Sequence, residues 1–243
     1  MSRYLLALSI AAAGIGLAGG SRVVVPRGNH ATRVSSSAGL VSMSIFDRAL
    51  GDEKEGLRNE LRSRASGTYI SEILRERDSA LARWPDRHGE PLRVWIQPES
   101  RVSDWTPDYV YEVHEAFVAW DTLDLPVHFE IVADSTTALV HVTFIDHFNE
   151  PISGRTRWAR DENYWITDAN IVLAVHHRTG EILEDDAMHA MALHEIGHLL
   201  GLDHSSDPSS IMAPKVRVRS LSDADRATAR LLYSLPAGRY SSR

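Results

Sequence analysis

The stretch HEIGHLLGLDHSSDPSSIM, His194 to Met212, decides how this chain is read. Three histidines and one glutamate fall in its first eleven positions. On a helix, His194 and His198 stand on one face about 6 Å apart, because a turn takes about 3.6 residues. Two imidazole nitrogens can then reach one metal ion at ~2.0–2.1 Å. Glu195 is one step on, rotated by ~100°. It stands off the ligand pair but within reach of a water beside the ion. Gly201 can adopt positive φ, end the helix and turn the chain sharply. That turn brings His204 back as a third ligand. The chain contains no cysteine, so a zinc ion here must be held by His, Asp or Glu. Three neutral ligands leave zinc's fourth position open, which is the arrangement of catalytic sites; structural sites close the shell with four protein ligands.

HEIGHLLGLDH also matches, without departure, the HExxHxxGxxH pattern of the metzincin metallopeptidases, which it resembles. Five fixed residues at about 1 in 20 each give on the order of 10⁻⁴ chance matches in a chain of this length. Ser205 after the third histidine looks like the matrixin branch, the matrix metalloproteases. HSSDPSSIMAP is similar to that family's run from third ligand to Met-turn, and LSDADRATARLLY to its C-terminal helix. The resemblance covers roughly Leu92 to Leu235 and is strongest from Asp186 onward. It implies a metzincin catalytic domain of α/β (α+β) class, with a twisted mixed sheet, an active-site helix, a Met-turn and a C-terminal helix. It further implies a secreted zinc-dependent endopeptidase with polypeptide substrates. His194, His198 and His204 would hold the catalytic Zn²⁺, Glu195 would be general base and then general acid, and Met212 would form an apolar floor beneath the metal. Zinc in such a site acidifies water and polarises the scissile carbonyl; Glu195 would take the water's proton and pass one to the departing amine.

This chain departs from the family pattern in places. Ala213 and Pro214 follow Met212, so the tyrosine ligand of astacin-like metzincins is missing. The thiolate with which matrixin pro-segments silence zinc has no counterpart here. No His-x-Asp pattern for a second, structural zinc is found, and FIDHFNEPISG is short where its loop should lie. Calcium is the weaker metal reading. Asp146, Asp161, Glu162, Asp168 and Asn170 carry suitable oxygens, but turn chemistry and strand ends account for most of them. GRTRW, Gly154, Arg155, Thr156, Arg157 and Trp158, falls where matrixins place the strand that pairs with extended substrate.

The remaining composition is that of a globular protein: 243 residues, 43% hydrophobic, 24% charged, net charge −7. An acidic balance argues against nucleic acid as partner, since binding phosphates needs a basic face. The N-terminus, MSRYLLALSIAAAGIGLAGGS, has the charge, apolar run and small residues of a secretory signal peptide over residues 1–20. A secreted or periplasmic monomer is expected, without stable membrane insertion; an uncleaved N-terminal anchor is the lesser alternative. Residues 21–65 read as linker or pro-segment, and Asp47, Asp52 or Glu53 there are candidate blockers of the open zinc position. Residues 66–91 read as a helical pro-segment or N-terminal extension. In SGTYISEILRERDSALARWPDR, Ile70, Ile73, Leu74, Leu81 and Trp84 keep helical spacing up to Pro85.

The catalytic domain is assigned to residues 92–243. PLRVWIQ, VHFEIVAD, ALVHVTFID and ITDANIVLAV read as strands. TPDYVYEVHEAFVAWDTL reads as an amphipathic helix with Thr106 as N-cap. The last helix starts at Ser222. Other polar residues have plain readings: His141 as a strand-face residue, His176, His177 and His189 as satisfied or exposed histidines, Glu184 to Asp186 as helix-dipole partners, and Trp158, Tyr164 and Trp165 as packing aromatics. Two rival functions remain open. One is a non-catalytic, zinc-containing binding module on the same scaffold, against which the intact Glu195 argues. The other is a zinc hydrolase acting on a non-peptide amide.

Overall fold

A computed structural model describes Asn59 and residues 63–240, all within one compact unit of residues 47–243. The signal-peptide reading, most of the linker (all but Asn59 and residues 63–65) and the carboxylates Asp47, Asp52 and Glu53 lie outside the described residues. The frame is a five-stranded sheet in the order β3-β2-β4-β6-β5. β2 (Leu92–Ile96), β3 (Phe129–Ile131), β4 (Val140–Ile145) and β6 (Ile166–Ala174) pair in parallel, while β5 (Gly154–Arg160) closes one edge antiparallel to β6. A mixed sheet with helices is the expected class.

Period-two patterning makes the strands. In β4, Val140, Val142 and Phe144 are buried and alternate with half-buried His141, Thr143 and Ile145. Their buried face is covered by α2 (Asp108–Asp121) and α3 (Asp185–Leu199). Thr106 does not cap α2: its side chain makes no cap bond, and the turn is held instead by Tyr109 and Val110 N–H donating to Thr106 O and Pro107 O. α4 (Asp223–Ser234) starts as read, with a reciprocal capping box between Ser222 and Asp225.

α3 is the central element. Met188, Ala190, Ala192, Leu193, His194, Glu195, Ile196, Gly197 and Leu199 are all buried, so it is packed nearly all round rather than along one stripe. Two indoles fasten it: Trp120 Nε1 donates to Leu193 O and Trp84 Nε1 to Leu199 O, each at 2.9 Å. A buried indole N–H needs such a partner, and these also occupy α3 carbonyls.

The segment before Leu92 differs from the single helix read from its spacing. α1 covers only Ile70–Glu76, because Asp78 and Ser79 take positive φ. The chain then forms β1 (Ala80–Leu81), paired antiparallel with β7 (Gly238–Arg239), a pairing that no local pattern announced. Of the apolar positions with helical spacing, Ile70, Ile73, Leu81 and Trp84 are buried in the same core as the sheet and Leu74 packs partly buried against it; Tyr69 is buried beside them. Arg83 is buried with them, its guanidinium near the rings of Trp165 and Tyr233 and its Nε donating to Leu235 O.

Trp84 fills a site that cannot collapse and holds an α3 carbonyl. Replacing Trp84 with Ala is expected to lower stability by about 3–5 kcal/mol, read as a fall in the urea midpoint without a change of slope.

Candidate metal centre and active site

α3 sets His194 and His198 on one face, with their Nε2 atoms 3.1 Å apart. Gly201, at φ +98°, turns the chain beneath them; a side chain there would also strike the carbonyl of Ala82. The turn carries His204 round, and one nitrogen from each of the three histidines lies within 4.8 Å of the others. Two nitrogens sharing a tetrahedral ion at ~2.0–2.1 Å would be separated by about 3.3 Å, close to the spacing here.

The far sides of the rings are also fixed. His194 Nδ1 is 2.7 Å from Ile211 O and His198 Nδ1 is 3.1 Å from Leu202 O. A carbonyl only accepts, so each Nδ1 carries the proton and each Nε2 lone pair faces the common point. Burial lowers the His194 pKa, and burial with the neighbouring His194 takes His198 down to about 3. Both rings are therefore neutral and ready to ligate at physiological pH. Three imidazoles in this arrangement fit a zinc-type ion.

Glu195 points the other way, toward the edge strand. It is 3% exposed. Burial raises its pKa to about 7, against the lowering effect of hydrogen bonds with Thr156. The Thr156 hydroxyl lies 2.6 Å from Glu195 Oε2 and 2.9 Å from Glu195 O. Gly154 is required by this approach: a Cβ there would stand 2.5 Å from Glu195 Oε1. β5 therefore closes on the carboxylate through two residues, one lacking a side chain and one donating a hydroxyl.

Met212 is fully buried under α3, with its Sδ so close to Gly197 that a Cβ would collide with it. Its loop is held by Ser205 N–H donating to Met212 O, by Ser210 Oγ accepting from Met212 N, and by Asp225, whose carboxylate accepts from Ile211 N–H. In front of the histidines lies a cleft of about 470 Å³. Residues 151–156 form one wall, and Met191, Pro214, Lys215 and Val216 contribute to its lining.

The other singled-out residues go elsewhere. His176 bridges Asp146 and Asp104, His177 meets Ser153 at the cleft, and His189 pairs with Glu112. Asp161 spends Oδ1 on the N–H groups of Asn163 and Trp165, which is turn chemistry. Trp158, Tyr164 and Trp165 each lie beneath an arginine, Arg77, Arg160 and Arg83 respectively. His141 is a half-buried strand residue bonded to Ser135 O. Sequence reasoning missed Thr156 as a partner of Glu195, and missed Arg77, Asp203 and Asp225 altogether as supports. Their only signal is distance in space.

Residues 146–234 match the protein family described as Matrixin. That span holds β5, β6, α3, the Met212 loop and α4. The chain is 34% identical over 122 residues to Metalloendoproteinase 1-MMP of Arabidopsis thaliana, covering 43% of this chain and 31% of that protein. It is 26% identical over 146 residues to Metalloendoproteinase 1 of Glycine max, covering 53% and 44%. It is 30% identical over 140 residues to Matrix metalloproteinase-C of Caenorhabditis elegans, covering 50% and 23%. The matched stretch is thus less than half of each relative. No helix among the described residues is long and apolar enough to cross a membrane.

The shifted groups give the metal-free protein a defined pH response. His198, at about 3 when folded against an ordinary 6.5, refuses a proton that the unfolded chain binds, so stability falls as pH drops through that window. Glu195, at about 7 against 4.5, keeps a proton that the unfolded chain gives up, so its contribution rises as pH drops from 7 to 4.5. The two oppose each other in the shared range. Below Glu195's ordinary 4.5 the His198 effect is unopposed by Glu195 and acts in the same direction as the carboxyls held low in the fold, Asp146 and Asp203 among them. Chelator-treated protein is expected to lose up to ~1.4 kcal/mol per pH unit there from His198. Urea unfolding at successive pH values measures the slope, and His198→Gln should flatten it.

Proposed function

We propose that this chain, similar over residues 146–234 to the Matrixin family and to metalloendoproteinases, is a zinc-dependent endopeptidase of matrixin-like type using Glu195 as its general base. One observation carries the reading: three convergent imidazole nitrogens and a buried, hydrogen-bonded carboxylate face one cleft beside a sheet edge. His194, His198 and His204 would hold the zinc, which supplies a Lewis acid that acidifies water and polarises a carbonyl.

The chain's own residues do the rest. Glu195 accepts the proton of the attacking water and returns one to the amine that leaves. In the metal-free chain burial raises its pKa to about 7, toward the operating pH at which a base and an acid in turn work best. Thr156 holds Oε2 by its hydroxyl, while Oε1 lies against Gly154. β5 is paired only with β6 among the described strands, so its outer edge is open to an extended peptide. Substrate would add there as a further strand, along Gly154, Arg155, Thr156, Arg157 and Trp158. The rest of the cleft would take a substrate side chain over Met191 and Val216.

This reading is preferred to a pure binding module. A binder has no use for a carboxylate held buried beside its metal, at the desolvation cost such burial entails. Secretion, with residues 1–20 as signal peptide, belongs to the same proposal, as does a removable segment somewhere upstream of the catalytic unit.

Glu195→Gln is expected to lower peptide cleavage by about 10²–10⁴-fold while zinc stays bound, measured by a peptide-library digest alongside metal analysis. Normal cleavage by that variant would sink the mechanism. Adding a chelator to the wild-type digest should stop cleavage, and restored zinc should return it. Thr156→Val removes one hydrogen bond to a charged group, worth ~1.5–3 kcal/mol. It should lower kcat at little change in KM, with Thr156→Ser retaining most of the activity.

A further inference from the structure

The segment read from sequence as a removable extension touches the metal-binding turn at several points. Arg77 stands just beyond α1 and presents its whole guanidinium to that turn. Nε donates to Asp203 Oδ2 at 2.8 Å, Nη1 to Gly201 O at 2.9 Å and Nη2 to Leu202 O at 3.0 Å. A planar fork of fixed donors can satisfy three acceptors together; a lysine ammonium cannot reproduce that geometry.

Each acceptor lies directly behind the candidate ligands. Asp203 passes the contact on: its Oδ1 accepts from the backbone N–H of His204 at 2.9 Å. Leu202 O is also the carbonyl that receives His198 Nδ1. One side chain therefore touches the groups that orient two of the three histidines. Burial alone would raise the Asp203 carboxyl, but the charge of Arg77 beside it holds it below the ordinary value.

Neighbouring residues of the same segment grip the turn from both ends. Trp84 Nε1 donates to Leu199 O where α3 ends, and Gly201 sits against the carbonyl of Ala82. Glu72 accepts from Ser206 N–H at 2.7 Å and from its hydroxyl at 3.1 Å, just past His204. Arg77 also lies 5.2 Å from the ring of Trp158 on β5, linking the turn to the edge strand. His204 is the exposed ligand of the three, so it has the least packing of its own to hold it.

We propose that residues 69–86 are a permanent part of the peptidase unit, and that Arg77 is the positioning residue that locks His204 and the His198 carbonyl partner into metal-binding geometry. Any maturation cut then falls upstream of Tyr69. The inference rests on the reading that these histidines hold zinc.

The test uses the full chain and reads zinc affinity by competition with a chromogenic chelator, independently of peptide cleavage. Arg77→Met should weaken zinc binding about 10–100-fold, the usual cost of losing an outer support of a metal ligand. Arg77→Lys should weaken it less, and it carries the comparison if the Met variant fails to fold. Ile73→Val, which trims the same segment without touching the turn, should lower thermal stability and leave zinc affinity unchanged. Unchanged affinity in the folded Arg77 variants, even with reduced stability, makes Arg77 a packing residue and overturns the proposal. Limited proteolysis of the zinc-loaded chain should yield a zinc-retaining core that still contains Tyr69 to Asp86; a zinc-retaining core that begins after Trp84 also overturns it. A wild-type chain without zinc affinity would instead remove the metal reading itself.

Discussion

The buried carboxylate of Asp225 is the constraint on which the site depends. It is fully buried in the first turn of α4 and forms no salt bridge among the described residues. Instead it collects hydrogen bonds. Oδ1 accepts from the hydroxyls of Ser210 and Tyr69, and Oδ2 accepts from Ile211 N–H, Ser222 N–H and Ser222 Oγ. A buried charge left unsatisfied costs several kcal/mol, so every donor is held where the carboxylate needs it. Those donors come from three parts of the chain: the loop beneath α3, the cap of α4 and the segment before β1. The Ile211 carbonyl fixed by this arrangement is the one that orients His194. The cap of the C-terminal helix and the orientation of the His194 ring thus depend on one carboxylate.

A second tension runs through α3. This helix sets His194 and Glu195 in the core and the half-buried His198 at its margin, polar groups whose charged forms burial penalises. The penalty is visible in the shifted pKa values of His198 and Glu195. Burial keeps the imidazoles free of protons and keeps the carboxyl near neutrality. The same desolvation favours the neutral form of each of these side chains. The core around them compensates with large side chains, Trp84, Trp120 and Phe117 among the most deeply buried. The two indoles also hold α3 by its carbonyls, so the costly helix is fastened at Leu193 and Leu199, one on either side of the ligand pair.

How much was legible in sequence follows from the range of each interaction. The spacing of His194, Glu195 and His198, the Gly201 turn and His204 is local, and the three histidines do converge. The Ser222 cap is equally local and forms as read. GRTRW lies on an edge strand, as a resemblance in that stretch implied. The α1 reading failed locally at Asp78 and Ser79, where tertiary pairing with the C-terminal strand outweighed helical spacing. Thr106 had the right residue type for a cap, yet its hydroxyl makes no cap bond.

By itself, then, the sequence determined which residues are the candidate ligands and the candidate base, and the period of the elements that carry them, because helix geometry converts spacing into position over a few residues. Only the tertiary structure decided what holds those residues in place. Thr156 meets Glu195 across 39 positions, Arg77 meets Asp203 across 126, and Tyr69 meets Asp225 across 156. A hydrogen bond between residues so far apart leaves no periodic trace in a single chain. It exists because the core brings the backbones together, and a buried polar group must then find a partner among whatever has been brought near.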